Sequence, residues 1–184
     1  VSPLLIGEDL ALIRGGRLLF ERLDISLSQG EAIHVTGPNG SGKSSLIRLI
    51  AGLLKPCFGR IVRAEAVLAD EGLALDRELP LGRALAFWTG PRLTQALAAF
   101  ELEELANVPV RLLSTGQAKR AQLARAVASA APLWLLDEPL NGLDRKGAGE
   151  LDRAVAGHRA NGGAVLAASH LPLAGDWRSL ELGA

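Results

Sequence analysis

Val35-Thr36-Gly37-Pro38-Asn39-Gly40-Ser41-Gly42-Lys43-Ser44-Ser45-Leu46 is the stretch from which the rest of this chain can be read. Residues 37–44 match G-x-x-x-x-G-K-S/T in full. Residues 32–36 before the loop read as a short strand. Residues 43–52 after it read as a helix, with Leu46, Ile47, Leu49 and Ile50 as its apolar stripe. Glycines let such a loop wrap closely, so successive N–H groups can point at phosphate oxygens. The helix start adds its positive end to the same anion. Lys43 is placed to reach the β- and γ-phosphates, and Ser44 to ligate Mg²⁺. Gly37 to Ser45 are therefore the candidate nucleotide-binding residues. An ordinary glycine-rich turn is the alternative, and the full spacing with both flanks argues against it. Alone, the loop specifies a nucleotide binder of many possible kinds.

Outward from this loop, the chain reads as an alternating α/β sequence. Residues 4–14 and 18–27 read as a strand pair around the Gly15-Gly16 turn. Residues 59–63 and 66–69 read as short strands. From 81 to 105 the pattern turns helical and alanine-rich, and a second helix is expected from Ser114 to Ala131. Residues 133–136 form a continuous apolar run, as a parallel strand covered on both faces requires. A helix over 145–159, a buried strand over 164–168 and a strand over 177–182 complete the order. The expectation is one layered α/β domain over 1–184, with a small helical lobe inserted at about 72–130.

Composition narrows the class. The chain has 184 residues, with 20 Lys+Arg against 20 Asp+Glu, so its net charge is zero. That balance carries no nucleic-acid footprint. The single cysteine, Cys57, cannot form an internal disulfide. No segment reaches the 18 to 20 apolar residues of a membrane span, and no charged n-region followed by an h-region opens the sequence. A soluble, cytoplasmic chain is expected, with any membrane role supplied by a partner.

Three further stretches carry chemistry. The strand at 133–136 ends in Asp137-Glu138, which sets two carboxylates at the carboxyl edge of the sheet, where α/β folds bind ligands. Asp137 is placed to hold Mg²⁺ through water, and Glu138 to polarise an attacking water. Ser114-Thr115-Gly116-Gln117 has the spacing of a capping box, and a capped helix start also presents N–H groups to an anion. Asn141-Gly142-Leu143-Asp144 reads as a turn and helix cap. His170 follows the buried strand at 164–168. His34 and His158 lack such a context and read as structural.

Taken in order, these motifs resemble those of ABC ATPases. The resemblance implies a P-loop NTPase core of the ABC type, with an N-terminal antiparallel strand pair and a small inserted helical lobe. It implies ATP and Mg²⁺ as cofactors and ATP hydrolysis as the activity, with Lys43, Glu138 and His170 as catalytic residues. Ser114, Thr115, Gly116 and Gln117 correspond to the signature that meets the γ-phosphate of nucleotide held by a second subunit. Asp144 corresponds to the D-loop at the dimer seam, and His170 to the switch histidine.

Over nearly its whole length the chain also resembles ATP-binding subunits of the cytochrome c biogenesis, or haem export, system. The resemblance lies in residues 18–23, 35–46, 48–53, 85–88, 109–117 and 132–139, and in His170-Leu171-Pro172-Leu173. It implies a second ATP-binding subunit, an integral membrane transporter subunit, and a place on the cytoplasmic face of a bacterial inner membrane. Nucleic acid is not an expected partner. A transporter for another substrate, an ABC ATPase acting on DNA or ribosomes, and a non-hydrolysing regulator are the rival readings. One copy of each motif and the absence of inserted arms weigh against the second, and Glu138 against the third.

The chain departs from the family pattern twice. Where most members carry an aromatic residue that stacks on adenine, it reads Ile13-Arg14-Gly15-Gly16, and it contains no tyrosine. Arg14 is the candidate replacement, and weak base selectivity is the expected consequence. Where a glutamine usually precedes the helical lobe, it reads Ala69-Asp70-Glu71-Gly72. Glu71 is there either a metal or water contact or an exposed loop acid.

Overall fold

A computed structural model describes residues 3–70 and 75–183. Two sheets and five α-helices make up these residues. The first sheet is antiparallel. Strands β1 (Pro3–Arg14) and β2 (Arg17–Ser28) form the expected hairpin, and β4 (Phe58–Arg63) pairs with the other edge of β1, giving the order β2-β1-β4. The strand pair is thus a three-stranded sheet. Its third strand comes from beyond the phosphate loop, which no local pattern in β4 announces.

The second sheet is entirely parallel, in the order β5-β6-β7-β3-β8. It is built from β3 (Ala32–Thr36), β5 (Ala66–Ala69), β6 (Leu133–Asp137), β7 (Ala164–Ala168) and β8 (Arg178–Glu181). Residues of β6 and β7 are buried throughout. Alternate side chains enter different cores, as the two-residue period of a strand requires. Leu133 and Leu135 pack with Leu46, Ile47 and Ile50 of α1 (Lys43–Ala51) and with the antiparallel sheet. Trp134 and Leu136 pack on the opposite face with α4 (Thr115–Ala128) and α5 (Arg145–Ala160). Two apolar faces on one strand are the reason its sequence shows no polar alternation. Each such buried aliphatic side chain contributes roughly 1.5–3 kcal/mol.

The helical stretch expected over 81–105 is divided. Helix α2 (Leu81–Thr89) ends at Gly90-Pro91, where a 3-10 turn, Gly90–Arg92, leads into α3 (Leu93–Ala99), and a second such turn spans Glu103–Leu105. The proline lacks the amide hydrogen that a continuous helix would need. Helix α4 stops at Ala128, three residues before the expected Ala131, and Ser129 takes extended backbone as its C-cap. Pro132 disfavours helix in the residue before it, and the chain must straighten to enter β6. Arg120 of α4 donates to the Phe100 carbonyl at 3.2 Å and pairs at 3.3 Å with Glu150 of α5, whose side chain is fully buried. This ion pair ties the helix beginning at Ser114 to the parallel sheet's outer layer.

Candidate nucleotide site

Sheet register decides which sequence motifs meet. Val35 of β3 and Asp137 of β6 both lie opposite Ala168 of β7. The carboxyl ends of three adjacent strands are therefore level, and the residues that follow them share one edge. From β3 the chain enters the glycine loop, from β6 it reaches Glu138, and from β7 it reaches His170. This is the edge where parallel α/β sheets hold ligands.

The loop is shaped by glycines at positive φ. Gly37 has φ 136°, and a Cβ there would collide with the Leu182 carbonyl oxygen. Gly42 has φ 103° and caps the start of α1, so the following amides turn inward at the helix's positive end. Lys43 is buried, and its ammonium donates to the Gly37 carbonyl at 2.7 Å and the Pro38 carbonyl at 3.1 Å. It forms no ion pair among the described residues, so its charge stands over the loop without a carboxylate. The buried Ser41 hydroxyl has no hydrogen-bond partner.

Ser44 donates its hydroxyl proton to Asp137 Oδ1 at 2.8 Å. Burial raises the Asp137 carboxyl above its ordinary range; the bond from Ser44 and the Arg48 cation oppose the shift, while Glu138 and Asp70 add to it. Arg48 lies 4.0 Å from Asp70. It was not among the sequence candidates, although its spacing of four from Ser44 puts both on one face of α1.

Glu138 has φ 47°, a left-handed conformation rare outside glycine. Its backbone is pinned there: its N–H donates to the Ala168 carbonyl at 2.8 Å, and its carbonyl accepts from Asn141 N–H at 3.2 Å. The strain is held by the strand ends and directs the carboxylate along the sheet edge. Glu138 Oε2 accepts from His170 Nδ1 at 2.8 Å and from the His170 backbone N–H at 3.3 Å. A carboxylate can only accept, so Nδ1 carries the proton and Nε2 is the imidazole's outward nitrogen.

A cleft of about 340 Å³ runs beside the loop, lined by Arg14, Leu19, Asn39, Gly40, Gly42, Lys43, Ser44, Ser45 and Glu138. Arg14 reaches it from the first hairpin and donates to the Ser45 hydroxyl at 3.3 Å.

Ser114-Gln117 does not line this cleft. Ser114 caps α4 in a complete capping box, with Gln117 N–H donating to its hydroxyl at 3.2 Å and Gln117 Oε1 accepting from Ser114 N–H at 2.9 Å. Gly116 lies close enough to the following turn that a Cβ would come within 3.3 Å of the Gly142 carbonyl oxygen. Asp144 caps α5, accepting from Gly147 N–H at 2.7 Å. Both motifs are thus well-formed helix starts set side by side. Glu71 lies outside the described residues. His34 lies within β3 and bonds the Ser169 carbonyl at 3.0 Å, while His158 is apart from the sheet edge and stacks on Trp134 at 4.0 Å.

A family profile described as ABC transporter matches residues 20–141. The chain belongs to the ABC transporter ATP-binding family. This ABC ATPase is 54% identical over 181 residues to the cytochrome c biogenesis ATP-binding export protein CcmA of Sphingopyxis alaskensis, covering 95% of the chain and 93% of the relative. It is likewise 54% identical to the protein of the same name from Novosphingobium aromaticivorans, over 92% of the chain and 90% of the relative. Among solved structures, the ATP-binding subunit of an ABC transporter superposes with a TM-score of 0.83 at 24% identity, over 98% of this chain and 88% of the other, which bears on the fold. As a member of this family the chain is a nucleotide-using ATPase subunit. No helix among its described residues is long and apolar enough to cross a membrane.

Proposed function

We propose that this chain binds MgATP along the cleft beside Gly37–Ser44, hydrolyses it between two copies of itself, and thereby powers the haem-export step of cytochrome c biogenesis through an integral membrane subunit. The observation that carries the site is the convergence of Lys43, the Ser44–Asp137 pair and the Glu138–His170 pair on one sheet edge. The transport role rests on relatives at 54% identity over nearly the whole chain that bear the name of a cytochrome c biogenesis export protein.

The residues suit the ligand. A glycine loop with no room for a Cβ at Gly37, an unpartnered Ser41 hydroxyl and a lysine without a carboxylate fit a polyanion. Ser44 and Asp137 offer hard oxygen donors. No three candidate metal-binding side chains cluster among the described residues, which fits an ion held mainly by phosphate and water, as Mg²⁺ commonly is. Mg²⁺ bound with the nucleotide supplies charge neutralisation across the phosphates.

The chain's own groups divide the remaining work. The loop amides and Lys43 bind and orient the phosphates. Both bonds from His170 converge on Glu138 Oε2, so Oε1 is left to accept a proton from the attacking water. His170 fixes that carboxylate and presents Nε2 to the opposite side. Ser114 to Gln117 lie outside the chain's own cleft, and we assign them to nucleotide held by a second copy, with Asp144 at the seam between copies. The membrane subunit would hold the assembly at the cytoplasmic face of the inner membrane.

Complementation tests this function. In a bacterium lacking its own cytochrome c biogenesis ATPase, and supplied with the matching membrane subunits, the wild-type chain restores covalent haem staining of c-type cytochromes. Lys43→Ala does not. Restoration by Lys43→Ala, or failure of a stably produced wild-type chain, would overturn the assignment.

A further inference from the structure

The cleft beside the phosphate loop offers much to phosphate and little to a base. Of its lining residues, Arg14 and Lys43 are cations, Glu138 is the one acid, Asn39, Ser44 and Ser45 are polar, and Leu19 is the one large apolar side chain. None is aromatic. Phe20, next in sequence to Leu19, is 8% exposed and belongs to the core beneath the loop, where a Cβ on Gly42 would come within 3.4 Å of its ring. It cannot turn outward without opening that core. Stacking on an aromatic face and hydrogen bonding to base edges are the two general means of reading a base. The first is missing here.

Arg14 lines the same cleft from the turn of the first hairpin. Its guanidinium is directed at the helix start, donating to Ser45 Oγ at 3.3 Å, one residue from Ser44 and two from Lys43. A bond to Ser45 uses one of its five donors, and the remainder form a planar fork suited to phosphate oxygens. Two glycines follow Arg14 at φ 58° and 77°, so the hairpin turns directly behind it, and the guanidinium of Arg17 on the returning strand comes within 3.9 Å of where a Cβ on Gly40 would lie. Leu19 remains as a small apolar surface, which any purine ring can cover equally.

We propose that Arg14 is a second phosphate-binding cation beside Lys43, and that this site takes purine nucleoside triphosphates with little discrimination between adenine and guanine. The proposal rests on the cleft being the nucleotide site. Affinity then comes from the triphosphate, and the base adds an apolar contact only.

The test is equilibrium binding of ATP, GTP and inorganic tripolyphosphate, each with Mg²⁺, by calorimetry on the wild-type chain and on Arg14→Ala, Arg14→Lys and Lys43→Ala. ATP and GTP are expected to bind the wild type within about threefold of each other, the difference a weak apolar contact allows. Arg14→Ala is expected to weaken all three ligands by a common factor of roughly five to ten, as the loss of one charge-assisted contact at a partly exposed site would. Arg14→Lys should recover most of that loss, and the loss should shrink as salt rises. Discrimination for ATP beyond tenfold would overturn the proposal. So would an Arg14→Ala variant that loses nucleotide affinity while keeping tripolyphosphate affinity, since that places Arg14 on the base. If Lys43→Ala binds like wild type, the nucleotide-site reading itself has failed, and that result is distinct from the other two.

Discussion

Glu138 and His170, 32 residues apart in sequence, share a 2.8 Å hydrogen bond because the strands preceding them are neighbours whose ends are level. The bond fixes the carboxylate through one oxygen and fixes the tautomer of the imidazole. Glu138 holds its left-handed backbone in the same arrangement, through the Ala168 carbonyl. A strained acid and an oriented histidine at the edge of the candidate nucleotide cleft form a unit rather than two independent contributions.

Removing either member should therefore cost much of what removing both costs. Glu138→Gln is expected to lower ATP turnover by roughly a hundredfold to ten-thousandfold, the range for loss of a general base, with nucleotide binding retained. His170→Ala should lower turnover less, because it releases the carboxylate without deleting it. The double variant should fall no further than Glu138→Gln alone, as residues acting as a unit do. Additive losses in steady-state turnover would show that the pair works separately.

Asp137 sets function against stability. Burial raises its folded-state pKa above the ordinary 3.8, so the folded chain holds the proton more tightly than the unfolded chain. The stabilising contribution is complete below that value and is lost as pH rises through the folded-state value. Asp137→Asn keeps an acceptor for Ser44 and removes the buried charge. It should raise Tm at neutral pH by about 2–4 °C, the shift that roughly 1 kcal/mol produces in a chain of this size, while reducing ATPase. A lower Tm would show that the carboxylate's hydrogen bond outweighs its desolvation.

Sharing of sites between copies can be tested by mixing two inactive variants. Lys43→Ala damages the phosphate loop and Ser114→Arg the helix start proposed to meet a partner's nucleotide. Each homodimer should be inactive. A heterodimer regains one site with both halves intact, so mixed samples should recover up to about a quarter of wild-type sites if the copies pair at random in a two-fold dimer. No recovery in samples shown to contain heterodimer would argue against sites completed in trans. Ser114→Ala should separately cost about 1 kcal/mol through loss of the cap.

On the far side of the sheet, His158 stacks on Trp134 and bonds the Pro132 carbonyl at 3.1 Å. Burial lowers its pKa below the ordinary 6.5, and its hydrogen bonds to backbone oppose that shift only in part. A histidine held neutral in the fold contributes stability that is present above 6.5 and lost as pH falls through the folded-state value. His158→Phe should flatten the decline of Tm on the acidic side of 6.5 relative to wild type.

Gly163 makes room for the same ring, since a Cβ there would collide with it. Gly163→Ala should cost about 1–3 kcal/mol as an overpacked site, and much of that should be recovered in the His158→Ala background. An equal penalty in both backgrounds, measured by denaturant unfolding, would locate the effect in the backbone instead.

Much of this was legible in the sequence. The bounds of β3, β5 and β7 coincide with the expected apolar runs, and α1 differs by one residue, because their signals are local: a continuous run, a glycine loop, an apolar stripe. Lys43, Ser44, Asp137 and Glu138 could be singled out by their motifs, and His170 by its place after a buried strand together with the family resemblance. Most other bounds moved by a single residue, and the larger departures lie where a turn competes with a helix, at Gly90-Pro91 and at Ser129 before Pro132.

The sequence by itself determined most of the strands and helices and which short motifs are candidates for phosphate, acid and imidazole chemistry, since these depend on backbone freedom, side-chain period and residue type within a few positions. Only the tertiary structure decided that β4 closes the first sheet, that β6, β7 and β3 lie side by side, and that Glu138 meets His170. It likewise decided that Arg14 turns toward Ser45. Strand order and register arise from matching two apolar faces across distant segments, and a contact made that way leaves no mark in the residues on either side of it.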